Sequence, residues 1–561
     1  MTHETFYHAL ESASHCDDRG YTLVDEAGRE CTLSHQRLVA AADACAALLA
    51  ELGTRRGDRV GICTTNPRDF LISFFGAIRA GAVGVPLPPP VPTVDLAHYG
   101  ESIRRTLAIA DCRVLLVDPK LRELISMVSG GAGVESATAV ADASLARPDG
   151  RPRAASPTDL ALLQFTSGST SAPKGVRVSH RCLMANARAL LGEGLRVDPK
   201  VDVGVSWLPL YHDMGLIGFG IGVAVCTARA VLIPPLRFLR HPATWLDAVE
   251  AHRGTISFAP NFALWILARR AAHARMHWDL SSLRVLGCGS EPIQPAVLRA
   301  FEERVGRPCG LPPNAILPCY GLAEATLAVS FGSLHDRYRT DWIDTEALAR
   351  DGVALSVEPG EGAAEVVSCG RGFAGHQIRI AGPDGVPLPP RRQGEIHVRG
   401  PSLADGYQDS PAATADTFHD GWLRTGDLGF IDQEGDLFVT GRVKQLLILH
   451  GRNYHPCDVE RTVEDVIGVR AGSIVAFSRP GSSSEELVVA AEVRTSSARI
   501  AGEIRSGVRR TLGLNTADVV LLPRGAIPKT SSGKLRRNEC RARYLRGEWS
   551  ARQVDVDPDS L

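Results

Sequence analysis

The sequence predicts an α/β protein: two αβ series, an all-β segment, and a smaller α+β end. Three observations carry this. From Tyr21 to Cys319, short β-branched apolar runs alternate with runs of helical spacing, the pattern of βαβ units and largely parallel sheets. Between Gln377 and Thr440, short strands separated by Gly turns replace the helices. Beyond Arg442 the chain returns to mixed α and β, so a boundary is expected near Val443, dividing 1–442 from 443–561.

The elements follow in order. Phe6–Ala13 reads as a helix, and Tyr21–Val24 with Glu30–Leu33 as strands around a turn. Ser34 caps a helix whose apolar positions recur from Leu38 to Leu52. Asp58–Cys63, Ala82–Val85 and Val114–Val117 read as strands; Asp69–Ala80 and Leu121–Val128 read as helices. Gly130–Pro157, rich in Gly, Ala, Ser and Pro, is expected to be surface loop. Leu160–Phe165, apolar with one Gln, reads as a buried strand and is taken to open the second αβ series. Strands at Val203–Leu208, Ala230–Ile233, Thr255–Phe258, Val285–Cys288 and Ile316–Cys319 alternate there with helices at His241–Ala251, Phe262–Ala272 and Pro295–Val305. Two series of one type suggest two subdomains packed face to face. The all-β segment has strands at Gln377–Ile380, Gly394–Arg399 and Leu437–Thr440, and the chain ends in a basic helix after Gly533.

Composition narrows the function. The 561 residues are 44% hydrophobic and 22% charged, enough for a sizeable core. A net charge of −1, from 62 basic and 63 acidic residues, gives no electrostatic footprint for nucleic acid or an anionic membrane. Met1–Leu10 lacks the pattern of a signal peptide, and no apolar run approaches about 18 residues, so no transmembrane segment and a cytoplasmic location are expected. The 13 cysteines include no Cys-x-x-Cys pair and read as reduced, mostly buried thiols. His273 and His277 stand four apart but lack the Glu of a metalloprotease helix.

The chemistry-bearing stretch runs from Leu163 to His180. Thr166, Ser167, Gly168, Ser169, Thr170 and Ser171 follow the strand without a break, then Pro173, Lys174 and Gly175. Glycines let backbone N–H groups approach a ligand and hydroxyls add donors, so the loop can wrap polyphosphate oxygens with Lys174 as a point charge. It is not a Walker A loop, because Lys174 precedes Gly175. A plain Ser/Gly linker is the alternative, opposed by the β-rich flanks.

Four other stretches add to it. Trp207 to Gly215 ends a strand in the pair His212-Asp213, which serves structure as readily as chemistry. Tyr320, Gly321 and Glu324 follow a strand's carboxyl end, where open α/β sheets present ligand groups; a ring can stack on a base and a carboxylate can hold Mg²⁺. Asp427, in Arg424-Thr425-Gly426-Asp427-Leu428, can accept from ribose hydroxyls, though a Gly-Asp turn is the simpler reading taken alone. Gly533 permits a turn that projects Lys534, or Lys534 simply heads a solvated basic helix.

Taken together, Thr166-Ser-Gly-Ser-Thr170 with Pro173-Lys174-Gly175, Tyr320-Gly-x-x-Glu324, Arg424-Thr-Gly-Asp-Leu428, Gly441-Arg442-x-Lys444 and Lys529-Thr-x-x-Gly-Lys534 resemble the adenylate-forming superfamily. Ser206-Trp-Leu-Pro209, Tyr211 to Leu216, Val367-Ser-Cys-Gly370 and Gly451 to Pro456 resemble its fatty acyl-AMP ligases, as does the long interval from Glu324 to Cys369, an insertion thought to hinder the domain movement that coenzyme A transfer requires. Gln445 and His455-Pro456-Cys457 depart from the usual pattern, both near the hinge.

The resemblance implies two αβ sandwich subdomains, a β-barrel-like subdomain and a small mobile C-terminal domain. It implies that a fatty acid attacks Mg²⁺·ATP to give acyl-AMP and pyrophosphate, and that the acyl group passes to the phosphopantetheine of an acyl carrier protein. Thr166, Ser167, Gly168, Ser169, Thr170 and Lys174 would then hold pyrophosphate, and Glu324 would bind Mg²⁺. Tyr320 and Gly321, with Gly289 and Ser290, would frame adenine, while Asp427 and Arg442 would hold ribose. Lys534 would serve the α-phosphate, His212 would stand at the acyl channel, and Lys444 would be the hinge. An acyl-CoA synthetase is the nearest alternative. An amino-acid-activating domain and an inactive nucleotide-binding scaffold are further ones.

Overall fold

The computed structural model describes residues 3–90, 96–128, 133–136, 154–166, 173–271, 277–449, 452–464, 466–481, 485–494, 498–529 and 535–549. Two large sheets form its centre. One has nine strands in the order Arg371–Gly372, Ala328–Phe331, Ile316–Gly321, Val285–Cys288, Ile256–Ala259, Val203–Ser206, Arg229–Leu232, Gly20–Val24, Glu30–Ser34. The other has six: Gly133–Ser136, Cys112–Val117, Arg59–Cys63, Val83–Pro86, Leu160–Thr166, Lys174–Ser179. Both are mainly parallel, as the alternation of strands and helices requires.

Sheet membership departs from chain order. The hairpin Leu160–Thr166 and Lys174–Ser179 does not open the second series; it pairs through Gly84↔Leu162 onto the first sheet. Conversely, Gly20–Val24 leaves the first series to pair in parallel with Arg229–Leu232. The two series are thus exchanged at their ends, which joins the sheets through shared helices. Helix Pro67–Arg79 shows how. Asn66 caps it by accepting from Arg68 N–H, Pro67 takes the first turn, and every residue but Arg68 is buried. Such an all-round buried helix must lie between layers. It packs on Arg59–Cys63 and Val83–Pro86 of one sheet and on Gly20–Val24 of the other. Phe70, Phe74 and Phe75 are fully buried there, each contributing about 1.5–3 kcal/mol.

Two expectations need correction. The segment Gly130–Pro157 is not all loop: Gly133–Ser136 pairs in parallel with Cys112–Val117, and most of the remainder lies outside the described residues. Helix Leu96–Ala110 was not anticipated, because Gly100 and a polar middle mask its periodicity, yet Ile103 and Leu107 are buried against the sheet.

The all-β segment is a five-stranded antiparallel sheet, in which Trp422–Ile431 pairs with Gly394–Arg399, Phe418–His419 and Leu437–Arg442. Before it, strands Thr340–Asp344 and Ala363–Val367 enclose helix Thr345–Asp351, whose cap Asp344 accepts from Glu346 and Ala347 N–H. Beyond Leu447, a three-stranded sheet (Val469–Pro480, Glu485–Val493, Thr516–Leu522) carries helices and buries its own two apolar clusters. No helix among the described residues is long and apolar enough to cross a membrane.

Candidate active site

One cavity of about 2880 Å³ runs between the two large sheets, the barrel-like sheet and the segment beyond Leu447. Most residues singled out from sequence border it. On the phosphate side, Thr166 and Lys174 face each other at the mouth of the hairpin and both line the cavity. Ser167, Gly168, Ser169 and Thr170 lie outside the described residues. The outer strand is clamped from behind: Arg177 N–H donates to Gly406 O (2.9 Å), Asp405 N–H to Arg177 O (2.8 Å) and Gln408 N–H to Gly175 O (2.8 Å). This brings Tyr407 under Lys174, whose Nζ lies 4.6 Å from the ring centroid.

Tyr407 also holds Glu324. Its hydroxyl donates to Glu324 Oε1 at 2.7 Å. The Glu324 backbone is fixed as well, because Ala404 N–H donates to its carbonyl at 2.9 Å. Two residues on, Thr326 has φ +71°, a real departure for a β-branched residue; its buried hydroxyl donates to Ser402 O at 2.6 Å. Asn186 ties the next turn, donating to Ala325 O and Ala328 O and accepting from Ala328 N–H. Burial raises the Glu324 pKa, opposed by the Tyr407 hydroxyl. Tyr407 thus fixes one oxygen of a buried carboxylate that borders the cavity.

The nucleoside side is a chain of three groups. Tyr320 Oη donates to Asp427 Oδ2 (2.8 Å), and Arg442 Nε donates to Asp427 Oδ1 (2.7 Å). Burial, reinforced by the Asp427 charge, drives the Tyr320 hydroxyl pKa well up; Asp427 raises that of Arg442. Gly321 belongs to the same strand end and lines the cavity. Ser290 also lines it with φ +73°, but Gly289 is not on the wall. A Cβ at Gly289 would meet Cys319 Sγ at 2.5 Å, so Gly289 serves close approach of two strand ends.

On the opposite wall, His212 Nδ1 lies 2.6 Å from Asp213 Oδ1, and the Met214 N–H donates to Asp213 Oδ1 at 2.7 Å. The preceding Tyr211 carbonyl accepts from Gln164 Nε2 at 3.1 Å, a bond that ties the Leu160–Thr166 strand to the loop after Val203–Ser206 of the other sheet. Below His212 the wall turns apolar, with Met214, Phe219, Leu191 and Phe258.

The segment beyond Arg442 closes the cavity. Lys444 is exposed on the turn Val443–Gln445 and lines it. Lys534 lies outside the described residues, but its flanks pair: Lys529 bridges Leu535, Arg536 N–H donates to Pro528 O (3.0 Å), and all but Pro528 line the cavity. Arg537 then donates to both oxygens of Glu460 (2.8 and 2.5 Å) and to Gln445 Oε1 (3.3 Å). His455 Nε2 accepts from Gln393 Nε2 at 3.0 Å, and burial lowers its pKa. Gln445 and His455, the sequence's two departures, therefore both bond residues distant in the chain, Arg537 and Gln393. Among the described residues no three His, Cys, Asp or Glu groups gather as a metal cluster, and His273 lies outside them. All 13 cysteines are free.

Sequence reasoning missed Tyr407, Thr326 and Asn186. Only Asp405-Gly406-Tyr407, an aromatic after a Gly turn, offered a local signal, and Gly406 has φ +101°.

This arrangement, a lysine-bearing hairpin beside a buried carboxylate and a Tyr–Asp–Arg chain, suits a nucleotide. Residues 11–408 match the AMP-binding enzyme family, and the chain belongs to it: it is an adenylate-forming ligase that converts an acid to its acyl-AMP using ATP. The chain is 36% identical to a putative acyl-CoA synthetase of Caulobacter vibrioides, over 89% of this chain and 88% of that one. It is 35% identical to the long-chain-fatty-acid–AMP ligase FadD26 of Mycobacterium marinum, over 89% of each. A solved structure from a study of the fatty acyl-adenylate ligases of E. coli and L. pneumophila superposes with a TM-score of 0.90 at 32% identity, covering 98% of this chain and 99% of that one.

Proposed function

We propose that the enzyme activates a fatty acid as its acyl-AMP and passes the acyl group to the phosphopantetheine thiol of an acyl carrier protein. The observation that carries the first half is the cavity itself: a polar half built for a nucleotide opens below His212 into an apolar arm. In this reading the fatty carboxylate attacks the α-phosphorus of ATP, and the bond to the β-phosphate oxygen breaks. Thr166, Ser167, Gly168, Ser169, Thr170 and Lys174 hold the departing pyrophosphate. Tyr320 frames the base, Asp427 accepts from ribose hydroxyls, and Arg442 keeps Asp427 in place. Lys534 balances charge between carboxylate and α-phosphate. His212 stands where the carboxylate enters.

Glu324 suits Mg²⁺, which is commonly held by one or two carboxylates plus substrate phosphates rather than by a protein cage. Its buried carboxylate, held through Oε1 by Tyr407 on the cavity wall beside Lys174, fits that mode. The ion would neutralise phosphate charge during displacement.

We place the domain boundary at Arg442–Val443, with Lys444 as the hinge. A carrier protein is preferred over coenzyme A because helix Thr345–Asp351 of the long insertion contacts strand Arg452–Tyr454, tethering the C-terminal domain. ATP–pyrophosphate exchange with a series of fatty acids tests the first step; its absence with every acid, ATP still binding, would make the protein a scaffold. Product analysis with coenzyme A against a phosphopantetheinylated carrier tests the second. Efficient acyl-CoA formation would establish the synthetase instead.

A further inference from the structure

The helical stretch after His212 carries three glycines in alternate positions, and the structure separates them. A Cβ at Gly222 would lie 3.0 Å from Ile217 O and meet Leu191. One at Gly220 would touch Leu216, Leu71 and Leu210 at 3.4–3.6 Å. One at Gly218 would meet nothing within 4 Å. In the turn Met214–Ile221 Gly218 is also the one residue that is not buried, and it lines the cavity, whereas Gly220 and Gly222 do not. The first two glycines are packing positions. Gly218 is a gap in a wall.

Topology says where that gap lies. Val203–Ser206 and Arg229–Leu232 are parallel neighbours, so the helical connection from Met214 to Cys226 runs back from the strands' carboxyl ends, where His212 sits, to the far edge of the sheet. The cavity follows it: Met214, Gly218, Phe219, Val223 and Cys226 line it in turn. The stretch from Met214 to Cys226 covers roughly 18 Å at helical rise. An extended chain gains about 1.2 Å per bond, since three bonds span one ~3.6 Å residue. The arm therefore suits a straight alkyl chain of about 15 bonds, and Gly218, one turn in, lies about five bonds from its mouth.

We propose that Gly218 sets how deep the acyl chain reaches, and that its missing side chain selects a long, unbranched alkyl substrate. This rests on the fatty-acid reading above. A side chain there projects into the passage and divides the first turn from the space beyond it.

The test is ATP–pyrophosphate exchange by wild type, Gly218→Leu, Gly218→Ala and Gly220→Ala with straight-chain acids from butanoate to hexadecanoate. For Gly218→Leu, kcat/KM for hexadecanoate should fall by about a hundredfold while that for butanoate stays within about threefold, since a misfit of methylene size in an apolar pocket is worth about 10–200-fold. Gly218→Ala should move the optimum the same way by less, and Gly220→Ala should leave it in place. An unshifted optimum in both Gly218 variants overturns the assignment, as does an equal loss at every length in Gly218→Ala, the variant least able to disturb folding. If the wild type exchanges with no straight-chain acid, the functional reading itself fails. An active wild type with unshifted variants removes only the role of Gly218.

Discussion

The nucleotide half of the cavity and the segment that closes it are built in opposite ways. Around Glu324 and Asp427, backbone and side chains are over-determined: Ala404, Tyr407, Ser402 and Asn186 fix one turn, and Tyr320 and Arg442 fix the aspartate. The strained φ of Thr326 persists only under such restraint. At the turn Val443–Gln445 the restraints thin out. Val443 is 44% exposed, Lys444 is exposed, and the named ties are Arg537 to Gln445 and Gln393 to His455. The difference teaches that binding and chemistry are divided. In the proposed function, the rigid half would hold the nucleotide and the separately packed unit would bring Lys534 to it.

The largest effect should come from that second unit. Lys534→Ala should abolish acyl-AMP formation, a loss on the order of a thousandfold or more, with ATP binding by calorimetry retained. Normal pyrophosphate release by the variant would break the division of labour. Next, Arg537→Ala strands the buried Glu460 carboxylate and unties Gln445. It should cost the C-terminal unit about 3–5 kcal/mol in urea unfolding, read by Trp549 fluorescence, with ATP affinity unchanged. Equal loss of ATP affinity would show that the two halves are one cooperative unit.

Acid should strike the rigid half. His180 heads the helix after the phosphate hairpin, accepts from Phe6 N–H at 3.2 Å, and burial lowers its pKa to about 4. The unfolded chain, with an ordinary histidine, takes up the proton first as pH falls. The stabilisation from keeping His180 neutral is therefore complete above pH ~6.5 and lost progressively down to pH ~4, about 3 kcal/mol in total. Urea midpoints at successive pH values should fall across that window for wild type and flatten in His180→Asn. The smallest effect sharpens the picture most. Tyr407→Phe keeps the ring under Lys174 and removes only the bond to Glu324. KM for Mg·ATP should rise about tenfold with kcat for pyrophosphate exchange little changed, in keeping with ~1.5–3 kcal/mol for a hydrogen bond to a charged group. A fall in kcat alone would assign Tyr407 to the chemical step.

Much of this was legible in the residues. Periodicity placed the Phe6–Ala13 helix and the Val285–Cys288 strand at their observed bounds, and Ser34 marks a helix start that capping chemistry dictates; the helix expected from Asp69 starts two residues earlier, at Pro67 with Asn66 as its cap. The motif residues Lys174, Tyr320, Glu324, Asp427 and Arg442 were legible only through the order and spacing of their motifs taken together; alone, Asp427 reads as a Gly-Asp turn and Glu324 as a solvated carboxylate. What no local pattern contains is partnership. Tyr407 reads as an ordinary aromatic after a turn until the clamp on Gly175–Arg177 lays it beside both Lys174 and Glu324.

The sequence by itself determined the classes of element, their order, and the chemical groups offered at the strand ends, since these follow from local periodicity, capping and glycine placement. Only the tertiary structure decided that the phosphate hairpin joins the first sheet, that Gly20–Val24 joins the second, and that Gly218 alone of three glycines faces empty space. Those outcomes depend on which distant surfaces bury one another. Burial is a property of the assembled layers, and a run of apolar residues or a glycine is compatible with more than one neighbour until the layers have closed.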